Sequence, residues 1–235
     1  MFAHCPWWNK NSNEINPWQV DVDEPQYRSR ILNELNDHAR KADVIVVQMV
    51  HTMSALNVFL SLKEAYPDTP VLAEIADHLL SSADYNPASA VYGPGSSFRD
   101  VAVQQFRAAD GLIVSTPYLK EVYSDFNDNI YVVSNSLDFH VWDKVQRKKH
   151  GDKIRIGWAG GASHDEDIRI VEQVIHKLLE KYSNLLFTFV HGTPRFLRDI
   201  PRVEHISKFS RIDKYPAFLG SRGFDIGIAP LVDNA

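Results

Sequence analysis

A single cysteine, Cys5, stands in the 235 residues of the chain. No internal disulfide framework is available, and the usage suits a reducing, cytoplasmic compartment. No apolar run approaches the roughly 20 residues that a membrane-spanning helix needs. The first ten residues, MFAHCPWWNK, lack the basic-then-apolar order of a secretory leader. Cations do not dominate: 25 Lys and Arg stand against 30 Asp and Glu, for a net charge of −5. The chain therefore carries no electrostatic footprint for nucleic acid. Internal repeats and low-complexity tracts are missing. So are the dinucleotide fingerprint G-x-G-x-x-G and the P-loop G-x-x-x-x-G-K-[ST].

What is present is the composition of an ordinary globular protein, 44% apolar and 23% charged, with length enough for two modest domains. Residues 1–24 form an irregular segment in which Trp7, Trp8 and Trp18 follow neither a helical nor a strand period. Tryptophans in such a setting usually dock on the rest of the same protein. His4 and Cys5 lack the second pair of ligands that a metal site needs. From Pro25 onward, strand and helix patterns alternate. Asp43–Val50 reads as a strand buried on both faces of a parallel sheet, followed by a helix over Ala55–Leu62 that stops before Pro67. Val71–Ile75, Gly111–Val114 and Ile130–Val133 read as strands, Phe98–Ala108 as a helix, and Thr116-Pro117 as an N-cap and N1 pair. A long loop runs through Asn86-Pro87 and Gly93-Pro94-Gly95. The charge run Asp143–Lys153 reads as a solvated linker, dividing a first domain, 25–147, from a second, 148–235. In the second, strands at Ile154, Leu185–Val190, Val203–Ile206 and Phe224–Ala229 alternate with a helix carrying Ile168, Val171, Ile175 and Leu179 and with one opened by Pro216. The expected fold is α/β, two Rossmann-like domains with parallel sheets, the second incomplete.

The stretch Lys153–Asp167 (KIRIGWAGGASHDED) is the pivot of this scheme. A strand passes through Gly157, Gly160 and Gly161 and enters a helix, with Ser163 and Glu166 spaced as a capping box. Strand, glycine turn and helix build either a tight βα connection or a crevice that holds phosphate at a strand's carboxyl end. His164 reads as a ligand-facing side chain or as an ordinary helix-start residue. Asp165, Glu166 and Asp167 read as exposed acids favoured by the helix dipole, rather than as a D-x-D metal site. In the first half, Glu74-Ile-Ala-Asp77-His78 follows a buried strand. Asp77 there is a site residue or a cap for the next helix, and His51 is a weaker candidate nearby.

Four motifs, in order, resemble those of family 4 glycosyltransferases. Val132-Val-Ser-Asn-Ser-Leu-Asp138 is similar to the V-P-N-G-V-D segment that ends the first domain of that family. Ala109-Asp-Gly-Leu-Ile-Val-Ser-Thr116 resembles the strand-and-serine stretch before it. Ile156-Gly-Trp-Ala-Gly-Gly-Ala-Ser-His164 resembles the G-x-x-G-S-x-x-H turn that opens the second domain, and Asp225-Ile-Gly-Ile-Ala-Pro-Leu231 the strand before the donor site. The resemblance covers roughly residues 40–235. A sugar-nucleotide epimerase shares the two-domain build, but the N-S-L-D and S-T-P-Y-L segments match the transferases better.

This resemblance implies a GT-B enzyme that moves a sugar from a nucleotide-diphosphate sugar to a glycan or lipid-linked acceptor. It implies retention of configuration, no cofactor and no metal. Donor contacts are then expected from Gly160, Gly161, Ser163, His164, Gly192 and Thr193. Asp77 is the catalytic candidate, with His51 and His78 on the acceptor side. No nucleic-acid partner is implied, and the full-length protein could associate peripherally with a membrane. The pattern departs from the family in two places. Nothing between Met1 and Pro25 looks like the family's first strand and glycine loop, and the E-x7-E helix would lie beyond Ala235, so this chain alone is expected to be inactive. A non-catalytic nucleotide- or carbohydrate-binding module is the alternative.

Overall fold

A computed structural model describes residues 35–81, 87–149, 151–161, 164–192, 194–207 and 211–232. The segment 1–24, the helix start expected after Pro25, Asn86, Ser163 and Thr193 lie outside the described residues. The chain divides into two compact α/β units, the first comprising residues up to Leu80 and Val91–Ser134, the second Ser81–Ala90 and the residues from Asn135 on, so the charge run Asp143–Lys153 falls inside the second.

Through Val132 the elements are β1 (Ile45–Gln48), α1 (Met53–Ala65), β2 (Val71–Ile75), α2 (Pro87–Tyr92), α3 (Ser97–Ala108), β3 (Gly111–Val114), α4 (Pro117–Val122) and β4 (Ile130–Val132). Local chemistry sets their limits. The Thr52 hydroxyl accepts from the Ala55 N–H at the start of α1, and Thr116 accepts from Leu119 N–H with Pro117 in the first turn of α4. Both caps satisfy N–H groups that have no partner within the helix. The four strands are parallel and pair in the order β1-β2-β3-β4. Every right-handed crossover then steps the same way and lays its helix on the same face. Accordingly Leu56 and Phe59 of α1, Val101 and Phe106 of α3 and Leu119 of α4 share one core with Val71, Ala73, Leu112 and Val114. The opposite face carries Val46, Leu72, Ile113 and Tyr131. Val46 is 48% exposed and Tyr131 53%. This corrects the expectation that the Asp43–Val50 run is buried on both faces: β1 is an outer strand among the described residues, and its burial alternates.

The second unit contains α5 (Phe139–Trp142), β5 (Ile154–Gly160), α6 (Asp165–Arg169), α7 (Glu172–Lys181), β6 (Leu185–His191), β7 (Val203–Ile206), α8 (Tyr215–Gly220) and β8 (Ile226–Gly227). Its strands are again parallel, in the order β7-β6-β5-β8. Ile156, Trp158, Phe187 and Phe189 pack with Ile168, Ile175 and Leu179 beneath α6 and α7. On the other face buried Arg155 reaches Glu204 at 2.6 Å and Thr188 at 3.2 Å, tying three strands together. The single helix expected after the glycine turn is broken into α6 and α7. The strand expected over Phe224–Ala229 pairs only at Ile226 and Gly227. Phe224 instead turns its ring over Gly157, where an added Cβ would meet it at 2.2 Å. The expected class, α/β with a parallel sheet in each half, is what the structure shows.

Candidate functional site

In the second sheet the strand order reverses at β5: β6 and β7 lie to one side of it and β8 to the other. Open parallel sheets bind ligands outside the carboxyl ends of the strands at such a switch point. Here that position is the end of β5, at Gly160 and Gly161, beside the residues that follow β8. The backbone is drawn together at this edge. Gly192 N–H donates to the Gly160 carbonyl at 2.8 Å, and Ile228 N–H donates to the Gly157 carbonyl at 3.0 Å.

The glycines divide by role. Gly192 is buried, and a Cβ on it would stand 2.8 Å from the Gly160 carbonyl oxygen and 2.9 Å from that of Gly161. A Cβ on Gly160 would stand 2.4 Å from the Trp158 ring. These two glycines are required by the protein's own packing. Gly161 is exposed and Gly160 half-buried. Neither Gly160 nor Gly192 adopts a positive φ; a left-handed residue at this edge is His191, at φ 73°. Its ring lies parallel to that of Phe218 with centroids 6.0 Å apart, and 5.7 Å from that of Tyr215. A non-glycine residue held in this region is strained and persists only where its surroundings fix it. The aromatic pair on α8 supplies that fixing. His191 is not among the residues expected from the sequence; its place at the end of an apolar strand and before a glycine is the available signal.

His164 and Asp167 form the polar part of the edge. Nδ1 of His164 lies 2.7 Å from an Asp167 carboxylate oxygen, and its ring stands edge-on to Trp158. The second carboxylate oxygen accepts from Val232 N–H at 2.8 Å. Asp167 is 8% exposed, which corrects its reading as a solvated helix-start acid. It joins α6 to the chain beyond β8 and orients the His164 ring, leaving Nε2 as the atom that can meet a ligand. The capping box expected of Ser163 and Glu166 involves a residue outside the described ones; α6 begins at Asp165, and the Glu166 carboxylate takes the Arg169 guanidinium at 3.1 Å.

The first sheet gathers the remaining candidates at its own carboxyl edge. Gln105, fully buried on α3, accepts from Val50 N–H at 2.8 Å and donates to the Gln48 carbonyl at 3.2 Å, fixing the chain after β1. The Ser115 hydroxyl donates to the Ala76 carbonyl at 2.8 Å, fixing the chain after β2. His51 Nδ1 lies 2.6 Å from the Tyr92 hydroxyl, with Phe98 alongside. His78 stands edge-on to Tyr118 and Tyr123. Burial lowers the pKa of both histidines, so each favours the neutral form. Tyr123 donates its hydroxyl proton to the Asp77 carbonyl at 2.8 Å, and the Asp77 side chain projects from an exposed residue. Burial, the foremost cause, raises the Tyr123 pKa and keeps the phenol protonated for this bond. Asp77 precedes only a short 3-10 turn, Leu79–Ser81. Asp77, His51 and His78 thus share one sheet edge, while Gly160, Gly161, His164 and Gly192 share another; Ser163 and Thr193 lie outside the described residues.

Among the described residues no helix is long and apolar enough to cross a membrane. No family model matches the sequence, and no curated protein matches it. Similar solved structures include a Listeria monocytogenes protein assigned as a UDP-N-acetylglucosamine 2-epimerase, at 17% identity and a TM-score of 0.49 over 86% of this chain and 56% of that one. Another is the Neisseria meningitidis UDP-GlcNAc 2-epimerase bound to UDP-GlcNAc, at 16% identity and a TM-score of 0.43 over 86% of this chain and 58% of that one. The chain thus spans between half and two thirds of the length of each of these proteins.

Proposed function

We propose that this chain is the nucleotide-sugar-handling part of a glycosyltransferase. The observation that carries the reading is the switch point of the second sheet, where exposed Gly161 and the Asp167-oriented ring of His164 meet at the end of β5. A leaving nucleotide diphosphate accumulates negative charge and needs fixed donors aimed at it. The Gly161 N–H can supply one; His164, whose Nδ1–H goes to Asp167, supplies a second from Nε2 as the imidazolium. The Asp167 carboxylate keeps its charge, but Val232 N–H and the His164 ring, each bonded to one of its oxygens, hold it in place and partly offset that charge. At the edge of the first sheet, Asp77 with neutral His51 and His78 provides acceptors for the proton of an incoming hydroxyl. Nothing in this chemistry asks for a metal or cofactor from the described residues, and the lone cysteine suits work in the cytoplasm.

Calorimetric titration with uridine, guanosine, adenosine and cytidine diphosphates, followed by incubation with the matching nucleotide-sugars, tests the reading. The expected result is binding of one diphosphate, weakened about tenfold by His164→Ala, the loss of one charge-assisted hydrogen bond. In a protein that turns over, Asp77→Asn is expected to lower transfer far more than donor binding. Conversion of a nucleotide-sugar into an epimer without any acceptor would replace the transferase by an epimerase. Binding without turnover in any longer version of the chain would leave a binding module. Absence of diphosphate binding would refute the site.

A further inference from the structure

An open pocket of about 630 Å³ lies along α8. Tyr215, at the start of α8, meets His191 at the glycine edge, whereas Gly220, at its end, receives the Lys148 N–H at 3.1 Å. One wall of the pocket carries Lys144, Arg147 and Lys148; Val141, Val145 and Pro216 give it an apolar floor. The cationic strip is held in place by its backbone and neighbours. Val145 sits where Gly220 has no side chain, since a Cβ there would come within 2.2 Å of it. Arg147 donates to the Phe224 carbonyl at 3.1 Å and faces Asp225 at 3.7 Å. Lys144 and Lys148 have no carboxylate partner among the described residues. The one acid of the lining, Asp213, is matched by Arg211 at 3.1 Å and Lys214 at 4.0 Å, so it does not cancel them. In a chain whose net charge is −5, this is a local reversal of sign built onto a fixed frame.

We propose that this pocket binds a phosphate group, and specifically a phosphate ester whose other end is apolar. A phosphate monoester carries close to two negative charges at neutral pH. Two unpaired ammonium groups neutralise it as point charges, and the fixed guanidinium adds directional donors. Val141, Val145 and Pro216 would take the apolar portion. The shared chemistry admits a soluble phosphate or a phospholipid headgroup as its source. Its lining shares no residue with the proposed donor edge, and the proposal does not rest on that reading.

The test uses the full chain, a Lys144→Gln/Lys148→Gln double variant, a Gly220→Val variant and His164→Ala, each checked for an unchanged circular dichroism spectrum. Inorganic phosphate is titrated calorimetrically. Sedimentation is measured with phosphatidylcholine vesicles lacking or containing phosphatidic acid. Binding in either arm, weakened about tenfold in the double variant by loss of two exposed charge pairs and unchanged in His164→Ala, supports the proposal, and the arm that binds names the source. Gly220→Val, which removes no charge but displaces Val145, is expected to weaken the same binding. No binding in either arm overturns the proposal. So does binding indifferent to the two lysines, or binding lost in His164→Ala instead.

Discussion

Gly192→Ala is the sharpest test of the edge geometry, because the three atoms nearest an added methyl are all backbone. The new Cβ would stand 2.8 Å from the Gly160 carbonyl oxygen, 2.9 Å from the Gly161 oxygen and 3.0 Å from the Gly161 carbonyl carbon. No side-chain rotation relieves such contacts, so β5 and β6 must separate at their ends, and the 2.8 Å Gly192–Gly160 hydrogen bond goes with them. Overpacking of this kind costs about 1–3 kcal/mol. The lost hydrogen bond adds about 0.5–1.5 kcal/mol, and the reduced freedom of the unfolded chain gives back about 0.4–1 kcal/mol. The net expectation is a destabilisation of about 2 kcal/mol, a substantial part of the roughly 5–15 kcal/mol that folded domains possess. With a urea dependence of about 1–3 kcal/mol per molar, the midpoint of the second unit should fall by about 1 M. Gly227→Ala is the internal control: it lies in β8, has ordinary φ, and its Cβ would meet nothing within 4 Å. That variant should be neutral or slightly more stable. Equal midpoints for the two variants would refute the reasoning.

Gln105→Leu leaves the Val50 N–H and the Gln48 carbonyl without their buried partner, and should lower the stability of the first unit by about 2 kcal/mol in urea melts. Glu204→Leu removes the carboxylate facing buried Arg155. Because Glu204 is itself 45% exposed, the cost should be about 1–2 kcal/mol, below that of a fully buried pair, and smaller in high salt. Burial holds His51 and His78 below their ordinary pKa. On acidification the unfolded chain takes up these protons first, so the stability of the first unit should hold above about pH 6.5 and decline below it. His51→Gln/His78→Gln should flatten that decline in pH-resolved thermal melts.

Much of the fold was legible because period and punctuation agreed. Val71–Ile75 and Gly111–Val114 were bounded by Pro70 and by the Gly111 and Ser115 ends, and Thr116-Pro117 opened α4 as its chemistry requires. What local pattern could not show was decided by tertiary partners. Phe224 left its strand pattern because Gly157, far away in sequence, offered it a space. The acid at 167 looked like its two neighbours, and only the Val232 N–H and the His164 ring distinguish it. Glycine at 192 suggested a ligand contact; the approach it permits is that of another strand end. Gln105 read as one more polar residue on a helix, since the N–H and carbonyl it serves, on Val50 and on the last residue of β1, lie 55 and 57 positions away.

The consecutive strand order of the first sheet bears on how the chain finds its fold. Pairing β1 with β2 brings together Ile45 and Val71, 26 positions apart, and each later strand adds beside its immediate predecessor. The second sheet must bring Ile226 back to Ile156, a closure of 70 positions, before β5 has neighbours on both sides. Closing the longer loop costs about 0.9 kcal/mol more in chain entropy. Non-local pairings of this sort slow the search for the native arrangement. Pulsed hydrogen exchange during refolding should therefore protect the amides of β2 and β3 ahead of that of Ile228, whose bond to Gly157 forms only once β8 has docked.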